Sequence, residues 1–135
     1  MSAALLTRLE TADTSADRLV LFDELCASTA DCPDRLGSFL HFIQPAFCDP
    51  LRGVRSLAFQ CARNYIAANP GMAEYFTSSY FMALLHNQAD IALHALSVLP
   101  ELVVVGRCEF LTTSFENFSR KLIISTFGPV IRFFI

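Results

Sequence analysis

The stretch Asp49-Pro50-Leu51-Arg52-Gly53-Val54-Arg55-Ser56-Leu57-Ala58 is the clearest punctuation in the chain. Aspartate followed by proline marks a helix start. The carboxylate can accept hydrogen bonds from the free amides of the first turn, and proline fits the first helical position, where its missing N–H costs nothing. Leu51, Val54, Leu57, Ala58, Cys61, Tyr65 and Ala68 then recur at helical spacing, so one face stays apolar for about five turns. Asn69-Pro70-Gly71 ends the helix.

The same grammar extends to both sides. Upstream, Thr14 followed by Asp17 reads as a capped start, and Leu19, Phe22, Leu25 and Cys26 carry a helix to about Ser28. Ser2 to Thr11 is a shorter run of good helix formers that can pair antiparallel with it. Pro33 opens a helix predicted over Asp34 to Phe47, with Leu36, Phe39, Leu40 and Ile43 inward and Pro45 kinking or ending it. Downstream, Met72 to His86 is predicted helical on Tyr75, Phe76, Ser79 and Met82-Ala83. Asn87 to Asp90 repeats the capping pattern for a helix from Gln88 to Leu99, closed by Pro100. Starts at Asp13 or Thr14, at Asp49 and at Asn87 lie about 36 and 38 residues apart, a spacing that predicts an array of helical hairpins.

The expected fold class is therefore all-α: stacked antiparallel hairpins forming an α-solenoid fragment over residues 1–104. Residues 105–135 form a divergent tail, irregular or with one further helix, crowded with Phe110, Phe115, Phe118, Phe127, Phe133 and Phe134. Composition agrees with an array whose units bury apolar faces on one another. Hydrophobic residues make up 53% of the 135, charged residues only 17%, and mean hydropathy is +0.44, which leaves apolar surface for neighbours or partner subunits to cover.

Charge argues against direct nucleic-acid binding. The first 104 residues hold eleven acidic side chains against six arginines, and the tail's four basic residues are too sparse for a phosphate-binding stripe. No apolar run reaches the length of a membrane span, since Leu122 to Ile135 is broken by Gly128, Pro129 and Arg132. Five dispersed cysteines and the lack of a signal-like start point to a reducing, intracellular compartment, in which the sequon at Asn117 stays unused.

The Asp-Pro start with Val54-Arg55 and Ala58 resembles the HEAT-repeat signature, and the architecture is of the HEAT or armadillo type by that resemblance. It implies that Asp49 and Arg55 are structural ladder residues bonding across neighbouring units. The run Asn69-Pro70-Gly71-Met72-Ala73-Glu74-Tyr75-Phe76, continued through Leu99-Pro100-Glu101-Leu102-Val103-Val104, resembles the C-terminal region of subunit 1, the large scaffold subunit, of the Integrator complex. This likeness covers about residues 1–104 and stops at an abrupt change near Gly106. It implies a nuclear, non-catalytic scaffold in an assembly that processes small nuclear RNA 3' ends and terminates RNA polymerase II transcription, with other protein subunits as partners.

Sharper chemistry finds little support in the residues. His41, His86 and His94 with the cysteines show neither a C-x-x-C pair nor an H-x-x-x-H spacing, so no metal, cofactor or small-molecule substrate is expected. No P-loop, nucleophile elbow or dinucleotide-binding glycine pattern occurs, so an enzyme is not expected. Gly53 is read as a close helix contact and Gly71 as a turn. Arg52, Arg55 and Arg63 share one helix, with a solvated face weighed against a ridge for a partner, and Arg52 and Arg63 are retained as interface candidates. Tyr75 and Phe76 are assigned to the hairpin core. Tyr80 and Phe81 are candidates for an outward interface, with core packing as the alternative. The competing reading of the whole chain is a free-standing adaptor that binds peptides in a concave groove.

Overall fold

The computed structural model describes residues 2–106, and the expectations for the tail beyond Gly106 lie outside the described residues. Six α-helices follow in order: α1 (Ser2–Glu10), α2 (Ser15–Thr29), α3 (Leu40–Ala46), α4 (Arg52–Ala68), α5 (Thr77–Leu84) and α6 (Ala89–Val105). No strand occurs among the described residues, and none of their helices is long and apolar enough to cross a membrane. The all-α repeat architecture expected from the periodicity is what the described residues adopt.

Helices α1 and α2 pack as one hairpin, α3 and α4 as a second, α5 and α6 as a third; α2, α4 and α6 pack successively on one another. A single hydrophobic core runs through all three, from Leu5 and Leu9 through Phe22, Leu25, Ile43, Val54 and Ile66 to Tyr80, Ala95 and Leu102. The register is 37 residues. Arg18 and Arg55 lie that far apart, as do Phe22 and Phe59, Pro33 and Pro70, and the first residues of α4 and α6.

The chemistry at the helix ends departs from the expectation in several places. Thr14 caps α2 as expected, its hydroxyl accepting from the Asp17 amide at 3.1 Å. Helix α4 starts three residues later than Asp49, with Leu51 as its N-cap, so Pro50 lies outside the helix. Asp49 instead closes a local turn: its Oδ1 accepts from the Leu51 amide at 2.9 Å, while the Leu51 carbonyl receives the amides of Val54 and Arg55. At α6 the N-cap is Gln88, whose own amide donates to His86 Nδ1 at 3.1 Å in place of the expected Asn87 cap.

The helices expected over Asp34 to Phe47 and Met72 to His86 each divide in two. Both open with a seven-residue 3-10 segment, Pro33–Phe39 and Pro70–Phe76, before α3 and α5 begin. With three residues per turn, i and i+3 fall on one side. Leu36 with Phe39, and Ala73 with Phe76, are accordingly the buried pairs. Pro45 lies within the last turn of α3, which ends one residue later.

Pro100 does not end α6. Leu96 is 46% exposed and Pro100 is exposed too, so the carbonyl of Leu96 that loses its partner belongs to the face turned to water. Burial of Leu102 beyond it holds the helix together to Val105.

Gly53 is a contact residue: a Cβ there would sit 2.9 Å from Leu19 Cδ1 across the α2–α4 interface. Gly71, read as a turn residue, has no atom within 4 Å of where its Cβ would be and no positive φ. Gly71→Ala is therefore expected to raise stability by about 0.4–1 kcal/mol through the unfolded chain, read as a higher urea midpoint with an unchanged slope.

Candidate functional site

The buried ionisable residues Asp49, Arg55 and His94 gather at the seams between hairpins, while the buried Thr29 and Thr77 hydroxyls bond carbonyls of their own local turns. At the first seam Asp49 is 5% exposed and comes from the turn before α4. Its Oδ2 pairs with Arg18 Nε of α2 at 2.6 Å, and its Oδ1 accepts from Ser15 Oγ at 2.8 Å. Arg18 Nη2 donates to the same Ser15 Oγ at 3.0 Å, which closes a small ring of bonds joining the first hairpin to the second.

The second seam is built on Arg55, the largest fully buried side chain, at 1% exposure. Its Nη1 donates backward to the main-chain carbonyls of Asp49 at 2.8 Å and Pro50 at 3.2 Å. Forward, Nε donates to His94 Nδ1 at 3.1 Å, and Nη2 lies 3.7 Å from Asp90 Oδ2, both on α6. A guanidinium has five donors in a rigid fork and no acceptor, so it can tie the turn before α4 to α6 at once.

Asp49 and Arg55 thus meet only through the Asp49 carbonyl, while their charged groups reach in opposite directions along the stack. Ser15, Arg18, Asp90 and His94 complete the two rungs, and none was singled out for this from the sequence. Arg18 had a signal, its place 37 residues before Arg55. His94 was weighed only as a metal ligand.

Because His94 Nδ1 accepts from Arg55, the ring is neutral with its proton on Nε2, which faces Ser56 Oγ at 3.5 Å. The ring also meets Phe59 edge-on, with centroids 5.3 Å apart. Burial holds the His94 pKa below the usual histidine value, and the charges of Arg52 and Arg55 push it the same way. The unfolded chain therefore takes up this proton at a higher pH than the folded chain does. Stability is fully present above about pH 6.5 and declines as pH falls below it. A lower urea midpoint at about pH 5.5 than at about pH 7.5 is the expected result, and His94→Gln should remove most of that step.

The remaining candidates lie as follows. Arg52 is exposed at the first turn of α4, and Arg63 is half-buried two turns further than Arg55. Arg63 borders a groove between α4 and α6 of about 260 Å³, together with Gln60, Val98 and Glu101. Tyr80 and Phe81 do not form an outward surface: they are 0% and 3% exposed, and the Tyr80 hydroxyl donates to the Ala95 carbonyl at 2.7 Å. Burial pushes the Tyr80 pKa well above the ordinary phenol value. Phe76 is in the core as expected, but Tyr75 is 45% exposed, because the 3-10 turn places it between the buried Ala73 and Phe76 positions. Among the described residues no group of three or more His, Cys, Asp or Glu side chains could hold a metal ion. The groups best placed for chemistry are committed to main-chain carbonyls and to one another across the seams.

Comparison with known proteins bears on this arrangement. No curated protein sequence matches the chain. The model of a protein family described as Integrator complex subunit 1, R4 domain, matches residues 6–107, a span that runs from within α1 to just past α6 and includes both polar seams. By that match over most of its length, the chain belongs to the Integrator complex subunit 1 R4 domain family.

Proposed function

We propose that this chain is a non-catalytic scaffold segment of the Integrator assembly, acting in the nucleus by presenting stacked helical hairpins to other protein subunits. The family match over residues 6–107 carries this reading. The site geometry supports it: the buried polar groups fasten hairpin to hairpin, as expected where shape and rigidity are the product. The processes served are those of the assembly, small nuclear RNA 3'-end processing and termination of RNA polymerase II transcription. Arg52 and Arg63 are the proposed contacts on α4, with the hairpins ordered as a HEAT-like array over residues 1–104 and residues 105–135 as a separate tail.

The test is affinity purification from nuclear extract of animal cells expressing the tagged full chain or residues 1–104. Enrichment of other Integrator subunits with the shorter chain supports the scaffold reading, and their loss with the full chain assigns the tail a disruptive role. If both chains stay soluble and neither enriches those subunits, the scaffold reading fails and a peptide-binding adaptor replaces it.

A further inference from the structure

The 37-residue register makes equivalent positions of α2, α4 and α6 directly comparable. Phe22, Leu25 and Thr29 on α2 correspond to Phe59, Ala62 and Ile66 on α4, and to Leu96, Leu99 and Val103 on α6. In α2 and α4 these positions are all buried, at no more than 4% exposure. The hairpin that follows covers them: Phe22 borders Phe42, Pro45 and Ala46 of α3, and Phe59 meets Tyr80 of α5 with ring centroids 6.4 Å apart. On α6 no described residue covers the same face. Leu96 is 46% exposed, Leu99 and Val103 are half-buried, and Leu93 and Val104 beside them are 60% and 76% exposed. At the angular step of an α-helix these residues fall within an arc of about 140° that holds no polar side chain.

We propose that this face of α6 is a docking surface for a helical hairpin of another subunit, apolar where it packs and basic along the edge that meets Asp90 and Glu101. The proposal rests on the scaffold reading above and names the surface through which that role is exercised. A hairpin is the occupant because hairpins cover the equivalent positions at both preceding seams, and the open face continues the same stack. Ala92 stands 37 residues after Arg55, where a further rung would begin, so apolar burial carries the contact in place of a buried arginine.

Charge and sequence select the partner. Asp90 and Glu101 are exposed along one margin of the face, and α6 has no Lys or Arg. A second copy would bring the same acidic edge on a chain that is already net negative, whereas Lys or Arg on a partner's edge would complement it. Nor does the sequence after Gly106 repeat the covering set. Asn117, Arg120 and Lys121 stand where the register has Ile43 and Tyr80, Ala46 and Ala83, and Phe47 and Leu84, all of them buried.

The experiment expresses the tagged full chain in animal cells with photoreactive benzoylphenylalanine in place of Leu93, irradiates the cells, and maps crosslinks in the purified complex by mass spectrometry. Expected is a crosslink to another Integrator subunit, within a helical hairpin whose apolar stripe is bordered by Lys or Arg. Leu93→Glu combined with Leu96→Glu should lower recovery of that subunit by about tenfold or more. Val20→Glu, which adds the same charge at a 61% exposed site on α2, should leave recovery unchanged. Far-UV circular dichroism of each purified variant establishes that it is folded. A crosslink to residues 107–135 or to a second copy overturns the proposal, as does full recovery with the double variant or an equal loss with Val20→Glu. Subunits recovered without any crosslink from position 93 refute this surface and leave the scaffold reading standing; recovery of none, by the full chain or by residues 1–104, refutes both.

Discussion

Replacing Arg55 by alanine is expected to lower the unfolding free energy by about 3–5 kcal/mol, the largest effect of any polar substitution in the described part of the chain. The magnitude comes from what is left behind. Arg55 is 1% exposed and supplies hydrogen bonds to the Asp49 and Pro50 carbonyls and to His94 Nδ1. Truncation strands these acceptors, at about 1–3 kcal/mol for each one left buried and unmatched, and opens the volume of a long side chain.

The ion pair with Asp90 is the smaller part. Its separation is 3.7 Å and the Asp90 side chain is 65% exposed, so screening leaves it within about 1 kcal/mol. Asp90→Ala should therefore lower stability by less than about 1 kcal/mol, and the gap between the two variants measures how far neutral acceptors outweigh charge. Chemical denaturation at neutral pH gives both numbers. Equal losses from Arg55→Ala and Asp90→Ala would show that the second seam rests on the salt bridge instead.

Phe59→Ala is the apolar counterpart, with an expected loss of about 3–5 kcal/mol. Phe59 is 4% exposed and stands where the second and third hairpins meet. It stacks on Phe47 at 4.6 Å with planes 10° apart, and meets His94 edge-on at 5.3 Å and Tyr80 at 6.4 Å. Removing the ring deletes one partner from each of these pairs and leaves a cavity beside His94, whose bond to Arg55 then loses its lateral support. Phe59→Leu keeps most of the volume and should cost less than about 1.5 kcal/mol. Thermal or urea unfolding separates the two variants, and a small loss for alanine would mean that the neighbouring hairpins close over the gap.

These two residues stand at opposite ends of what can be read without coordinates. The apolar stripe that buries Phe22, Leu25, Val54, Ala58 and Cys61 is written directly in the sequence, because a helix buries residues at a fixed spacing whatever it packs against, whereas Ile66 is buried in place of the expected Tyr65 and Ala68. The arrangement in helical hairpins, their spacing of about 36 to 38 residues and the cap at Thr14 follow from the same local rules, which involve neighbours only a few residues away. Family membership was legible too, since the residues from Asn69 to Phe76 and from Leu99 to Val104 carried the resemblance that the match over residues 6–107 established.

Tertiary packing decided the rest. Whether Pro100 ends a helix depends on which face it occupies, and only the burial of Leu102 and the exposure of Leu96 settle that. The 3-10 turns at Pro33 and Pro70 exist because Leu36 with Phe39 and Ala73 with Phe76 must point the same way into a core made by other helices. Tyr80 and Phe81, candidates for an outward interface on the sequence, are both enclosed. The polar rungs are the clearest case. Arg18 with Asp49 spans 31 residues and Arg55 with His94 spans 39, so each bond depends on how one hairpin lies on the next. Spacing along the chain determined which residues share a face; only the stacking of hairpins determined which faces meet, because contact between distant segments is set by their joint burial and has no local signature.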